Sequence, residues 1–353
     1  MMQPHINRIG TAVPENDIHA PFVAFGRTLL DDKSRALFDR MAERSGIAHR
    51  FSFFRPGRLE AGEVDAEGFY RRGAFPSTGA RMALYEPFAL ELALRAAAPL
   101  DLAGISHLIV ASCTGFSAPG LDLQLLDALG LSPGVQRTAI GFMGCAAAVP
   151  ALRTAHDHVR ANPEARVLVV NLELSTLHMQ ETSDLETVLS FLLFGDGCSA
   201  ALVSAEPEGV ALEDFRAAVI PETRDLITWH VRDGGFDMRL SGQVPGRIVQ
   251  ALRADRVRSD AGGLLRGRAA QDYDLWAVHA GGRTVLDAVE QGYGLAAAAL
   301  RHSRAVLHDY GNMSSATVMF VLERMLHEAV PGRGLAMAFG PGMVAESFRF
   351  RLA

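Results

Sequence analysis

The chain has 353 residues, 49% of them hydrophobic and 21% charged, which is enough for a sizeable core in two domain-sized units or one doubled unit. Its formal net charge of −6 argues against general nucleic-acid binding, and no apolar run approaches the ~20 residues of a membrane span. Three cysteines (Cys113, Cys145 and Cys198) make an odd count without metal-type spacing, and no basic-then-apolar leader pattern opens the chain, so the expected setting is a reducing cytoplasm.

Taken in order, residues 1–14 read as a short strand running into a turn at Pro14. Residues 34–45 read as an amphipathic helix with Arg40 and Arg44 four apart on one face. A solvated charged face is the plain reading of such a pair. Residues 51–80, rich in Gly, Arg, Pro and Phe, form a long loop, and a helix follows over 80–98. A buried strand at 105–113 enters a glycine-containing loop, and 121–129 is again helical. Residues 139–145 are a strand and tight turn feeding a helix that reaches about residue 162. The continuous apolar run 166–173 is the mark of a strand in a sheet covered on both faces. A polar loop at 178–187, a helix at 188–193 and a strand at 198–203 complete this half.

Composition shifts at 204–209, which divides the chain into halves 1–208 and 209–353. The second half reads as strand at 211–220, a polar segment to Pro245, helices as far as Arg268, then a strand at 275–279 and a helix at 284–289. The helix from Arg301 breaks at 310–316 and resumes over 317–326, and 334–352 close as a hairpin around Gly340-Pro341-Gly342. Two series of strand–turn–helix units predict a duplicated α/β architecture, although the halves share no sequence period.

The chemistry centres on Gly144-Cys145-Ala146-Ala147. A glycine tolerates turn geometry that a side chain forbids, and a cysteine close to a helix N-terminus meets unpaired N–H groups that lower a thiol pKa. A small buried hydrophobe is the alternative reading of that cysteine. Such a nucleophile needs a base or cationic partner brought by the fold. Among twelve histidines, His279 is the best placed, because it ends an apolar strand just before Gly281-Gly282. His156 and His158, two apart on a helix, point different ways and read as surface polar residues. Asn312, in the helix-breaking turn, can donate amide hydrogens to an oxyanion or simply form the turn. Neither HExxH, paired CxxC nor GxSxG is present, so metal catalysis and an α/β-hydrolase have no sequence support. Gly340–Ala345 matches a dinucleotide fingerprint only loosely, with a strand and not a helix after it.

Five motifs occur together in order: Gly144-Cys145-Ala146-Ala147, Phe194-Gly195-Asp196-Gly197, His279-Ala280-Gly281-Gly282, Gly311-Asn312-Met313-Ser314-Ser315-Ala316 and Gly340-Pro341-Gly342. In this the chain resembles the type III polyketide synthases, the chalcone-synthase-like members of the thiolase superfamily, and their bacterial branch most of all. The resemblance spans essentially the whole chain. It implies a thiolase-like αβαβα fold with duplicated halves, a homodimer, and a Cys145–His279–Asn312 triad. Cys145 would carry the acyl group, held as a thiolate by His279. His279 and Asn312 would bind the malonyl thioester oxygen during loss of carbon dioxide. No permanently bound cofactor is implied; the substrates are coenzyme A thioesters, with an acyl-carrier protein as the alternative donor of the starter.

Phe194 matches the aromatic between the coenzyme A tunnel and the cavity, and Arg40 and Arg44 match two basic contacts to coenzyme A phosphates. Leu37 stands at a third such position. Cys113, His178, Ser190, Trp229, Met238 and Ser314 match cavity positions where plant-type members usually have Thr, Thr, Gly, Gly, Phe and Ser. Those replacements argue against a chalcone-like product. A flexible methionine adapts to an alkyl chain, so the reading leans to an aliphatic starter giving alkylpyrones or alkylresorcinols. The alternatives are phloroglucinol or a naphthalene made from malonyl-coenzyme A alone, a single-condensation ketoacyl synthase, and a non-catalytic acyl-binding scaffold.

Overall fold

The structure is a computed structural model that describes residues 2–353. Strand β1 (His5–Ala12) leads through β2 (Asn16–Asp17) to helices α1 (His19–Arg27) and α2 (Asp32–Arg44), and then to β3 (Phe51–Ser52). The long loop predicted after it gives way to α3 (Thr78–Ala97), whose first turn is capped by the Ser77 hydroxyl accepting from Ala80 N. Next come β4 (His107–Ser112), α4 (Leu121–Ala128), β5 (Gln136–Gly141), α5 (Ala148–Ala161) and β6 (Val167–Leu174). Helix α6 (Leu185–Leu193) starts earlier than its apolar run suggests, because Asp184 caps it by accepting from Thr187 N at 2.9 Å. Strand β7 (Asp196–Ser204) follows.

The second series runs β8 (Val210–Val219), β9 (Ile227–Arg232), β10 (Gly235–Leu240), α7 (Val244–Arg256), β11 (Leu275–Val278), α8 (Arg283–Tyr293), α9 (Arg301–Tyr310), α10 (Thr317–Glu328), β12 (Gly332–Gly340) and β13 (Val344–Leu352). Two elements differ from the sequence reading. The polar segment before Pro245 holds the antiparallel hairpin β9–β10, and the helix after it stops at Arg256, well short of Arg268.

Nine strands lie in the order β11-β12-β13-β8-β1-β7-β6-β4-β5, but β1 meets β8 only through His5 and Ile6. The short seam divides them into two sheets with one pairing plan. In the first, β4 and β6 are parallel while β6–β7 and β7–β1 are antiparallel. In the second, β11 and β12 are parallel while β12–β13 and β13–β8 are antiparallel. The duplication that no sequence period reveals is thus written in the topology.

Period-two alternation decides which layer each strand residue enters. Ile109 and Ala111 of β4, with Val167 and Val169 of β6, join a central core shared with Leu152 of α5 and Val318 of α10. Leu108, Val110, Leu168 and Val170 face the other way, towards Leu92 of α3 and Leu125 of α4. Trp276, Val278, Leu335 and Met337 do the same for the second sheet, towards Leu286 and Val289 of α8 and Ile248 of α7. Five layers result, helices outside, two sheets, and α5 with α10 between them, which is the αβαβα arrangement of the thiolase-like fold. His156 lies in this packing and not on the surface: it is buried with its ring 5.2 Å from that of Phe215, while His158 turns aside to His107 at 4.2 Å. The outer edge of the first sheet is β5, where four of the six residues are exposed.

Candidate active site

The cysteine turn is built by close approach. After β5, Phe142 and Gly144 take positive φ (53° and 57°), and a Cβ on Gly144 would sit 2.4 Å from Pro341 Cδ. Only glycine admits the closing turn of the second half there. Cys145 lies in the 3-10 turn Gly144–Ala146 just before α5, and Pro150 falls in that helix's first turn, where no hydrogen bond is lost.

Asn312 arrives by a different route. Its backbone N donates to Leu193 O at 2.8 Å, and its carbonyl accepts from Gly195 N at 3.0 Å, which makes a parallel bridge with Phe194. The carboxamide is oriented by two further bonds, Ser314 N to Oδ1 at 2.8 Å and Nδ2 to Gly281 O at 3.2 Å. That aims the amide at Cys145, with Nδ2 also donating to Cys145 Sγ at 4.0 Å.

His279 follows β11, anchored by its N–H on Met337 O at 2.8 Å. It is buried, and among the described residues neither ring nitrogen has a partner. Burial drives its pKa down to about 3 and pushes the Cys145 thiol up to about 11, against the lowering bonds from Ser314 and Asn312. Burial thus favours the uncharged form of each group. No hydrogen bond joins Cys145 to His279 in this arrangement.

Cys145, His279 and Asn312 share one cavity of about 820 Å³ with Cys113, Ser190, Phe194, Trp229, Met238 and Ser314. Cys113 supports the cysteine turn, its Sγ accepting from Gly144 N at 3.0 Å. Trp229 and Met238 are cross-strand partners on β9 and β10, and the buried indole N–H of Trp229 has no acceptor among the described residues. His178 is the exception: it does not line the cavity. Its ring stacks on Phe236 at 4.1 Å and meets Trp229 edge-on at 6.1 Å. Phe236 N donates to its Nδ1 at 3.0 Å, and its Nε2 stands 2.6 Å from Thr114 O, so His178 is a neutral brace behind the wall.

At the other end, Met41, Arg44 and Ser45 from the end of α2 line the opening. Arg40, one turn earlier, lies outside the lining, and Leu37 is exposed. Sequence reasoning passed over Arg283, which lines the same opening and donates from Nη1 to Arg44 O at 3.2 Å. The available signal was a basic residue opening a helix directly after Gly281-Gly282. It also passed over Glu173, a carboxylate ending an eight-residue apolar strand. Glu173 is fully buried and accepts from Cys113 N and Thr114 Oγ1, both at 3.0 Å, and from Ser315 Oγ at 2.6 Å. It thereby ties the floor under Cys145 to the asparagine turn.

A thiol, an imidazole and a fixed amide gathered in an apolar cavity, on a thiolase-like fold, are the groups a carbon–carbon condensing enzyme working on acyl thioesters would use. The comparisons narrow the class. The chalcone and stilbene synthase family matches over both parts, its N-terminal domain at residues 4–207 and its C-terminal domain at 212–352. The chain belongs to this family and is a type III polyketide synthase of the bacterial type, an acyltransferase. It is 33% identical to the alpha-pyrone synthesis polyketide synthase-like Pks18 of Mycobacterium tuberculosis, over 98% of this chain and 90% of that one. Bisdemethoxycurcumin synthase of Oryza sativa subsp. japonica is 35% identical over 96% of this chain and 90% of its own length. Among solved structures, 1,3,6,8-tetrahydroxynaphthalene synthase from Streptomyces coelicolor A3(2) superposes with a TM-score of 0.85 at 31% identity, covering 99% of each chain.

Burial raises the Glu173 carboxyl from 4.5 to about 7, its three hydrogen bonds offsetting only part of the desolvation. A folded pKa above the unfolded one means that the folded chain binds more protons across that window, so stability falls as pH rises through it. Glu173→Gln removes the titration. The stability of Glu173→Gln relative to wild type, from urea unfolding, should therefore grow by about 3 kcal/mol between pH 4 and pH 8. A difference that stays flat with pH would contradict this.

Proposed function

We propose that the chain loads an aliphatic acyl starter from coenzyme A onto Cys145, extends it with malonyl-coenzyme A and releases an alkylpyrone or alkylresorcinol. The observation that carries this reading is the wall of the cavity. It includes Leu189, Ile227, Met238, Leu240, Val244 and Ile248, flexible or aliphatic side chains that suit an alkyl chain. The likeness to an alpha-pyrone synthase agrees with it. The unpaired Trp229 N–H supplies a donor for a polyketide oxygen, since a buried donor left empty costs about 1–3 kcal/mol.

In this reading His279 takes the thiol proton as Cys145 sulfur bonds to the starter carbonyl carbon. The coenzyme A thiolate leaves and receives that proton from His279. The malonyl thioester oxygen then accepts hydrogen bonds from the neutral His279 ring and from Asn312 Nδ2. Carbon dioxide departs, the electron pair of its C–C bond becomes the enolate, and the enolate carbon attacks the Cys145 thioester and expels the thiolate. Each such donor is commonly worth about 3 kcal/mol in the transition state. Arg44 and Arg283 at the opening would meet the coenzyme A phosphates.

We place the protein in the cytoplasm as a homodimer. The open β5 edge, with Phe116, Phe142 and Met143 exposed beside it, supports the pairing. Sedimentation should give twice the chain mass of 38.0 kDa, and a single-chain mass would contradict it.

The function is tested by mass spectrometry of products made from malonyl-coenzyme A alone and then with short, aromatic and long-chain acyl-coenzyme A starters. Cyclised alkyl products from the aliphatic starters should dominate and vanish in Cys145→Ala, which should still release carbon dioxide because His279 and Asn312 remain. Products from malonyl-coenzyme A alone, or single-condensation ketoacyl products throughout, would replace this reading with one of its rivals.

A further inference from the structure

Arg50 is 1% exposed, has no carboxylate within ion-pair distance among the described residues, and lies outside the cavity lining. An arginine so placed has to be held by other acceptors, since burying an uncompensated charge is costly. Its Nη1 donates to two backbone carbonyls, Phe191 O at 2.8 Å and Phe194 O. Its Nε donates to His19 Nδ1 at 3.0 Å, and the guanidinium sits 4.8 Å from the centre of the Phe22 ring. The group thus binds the C-terminal end of α6 and the residue after it, where the carbonyls of a helix are left unpaired and favour a cation.

The stem of Arg50 leaves no room for a side chain at one glycine that the sequence motifs single out, and lies beside a second. A Cβ on Gly311 would lie 2.7 Å from Arg50 Cγ and 2.8 Å from Leu193 O. A Cβ on Gly195 would lie 3.4 Å from Arg50 Cβ and 3.1 Å from Tyr310 O. These glycines flank Phe194 and Asn312, the two residues joined by the parallel bridge. Arg50 therefore packs its alkyl chain against both sides of that bridge while its head holds the Phe194 carbonyl.

We propose that Arg50 is a positioning residue: it clamps the Phe194–Asn312 bridge and so fixes the Asn312 amide for malonyl decarboxylation. The inference rests on the proposed role of Asn312. Arg50 touches neither Cys145 nor His279, so starter loading is independent of it. Lysine keeps the charge but lacks the planar fork that reaches the Phe191 and Phe194 carbonyls and His19 together.

Two rates separate the roles: carbon dioxide release from malonyl-coenzyme A, and acylation of Cys145 by a starter, read by intact-protein mass spectrometry. Arg50→Gln should lower kcat for decarboxylation at least tenfold, with KM for malonyl-coenzyme A and the acylation rate within threefold of wild type. Arg50→Lys should recover part of the loss. Placed on Asn312→Ala, Arg50→Gln should change the remaining rate less than threefold, because the amide it orients is gone. If Arg50→Gln does not fold, His19→Leu removes only the Nε acceptor, and it should lower decarboxylation more than threefold while acylation stays within threefold of wild type. Equal losses in acylation and decarboxylation, or full additivity with Asn312→Ala, would overturn the role of Arg50 alone. An Asn312→Ala protein that decarboxylates at the wild-type rate would overturn the reading of the amide, and the clamp with it.

Discussion

The site depends on the contact between two turns, one from each half of the molecule. Gly144 leaves no room for a side chain against Pro341, and a Cβ on Gly340 would in turn lie 2.8 Å from Met143 O. Each glycine is what allows the other turn to approach. The cysteine turn is thereby pressed against the end of β12, and Cys145 is held between halves that contribute the sulfur on one side and the imidazole and amide on the other. A side chain at either position would have to separate the sheets locally before it disturbed any chemistry.

The layered fold explains why three residues so far apart in sequence meet. Cys145 follows the end of β5 and His279 the end of β11, the outer parallel strands of the two sheets. Asn312 enters from the break between α9 and α10, and α10 is a helix of the central layer. Each functional side chain leaves a rigid element at a glycine turn, which limits its freedom without asking the turn itself to be stable. Desolvation is the accompanying cost. It favours the uncharged thiol and imidazole, and it leaves polar atoms on His279 and Trp229 for a substrate to satisfy.

What was legible in the sequence follows from how many faces of each element are covered. Strands β4, β6, β7 and β11 read as continuous apolar runs because both sheet faces are buried, and the five motifs stand out because most of their glycines meet a close neighbour or take a positive φ. The hairpin β9–β10 was hidden, since its outer residues are solvent-exposed while Trp229 and Met238 face the cavity, and the mixture reads as polar loop. His178 looked like a cavity residue by position, yet its ring is taken up by Phe236. His156 looked exposed because nothing in its helix announces that Phe215 of the distant β8 covers it. Arg50, Glu173 and Arg283 act through backbone groups or through residues remote in sequence, and no local pattern marks such partners.

The most direct test of the account is to locate the acyl group. The purified protein would be incubated with a long-chain aliphatic acyl-coenzyme A, quenched in acid and digested, and the modified peptide sequenced by mass spectrometry. The account predicts a single thioester on Cys145, with Cys113 unmodified because its buried Sγ is taken up by Gly144 N and burial pushes its thiol up, and Cys198 unmodified because it is buried away from the cavity. An acyl group on another residue, or none while polyketide products still form, would contradict it.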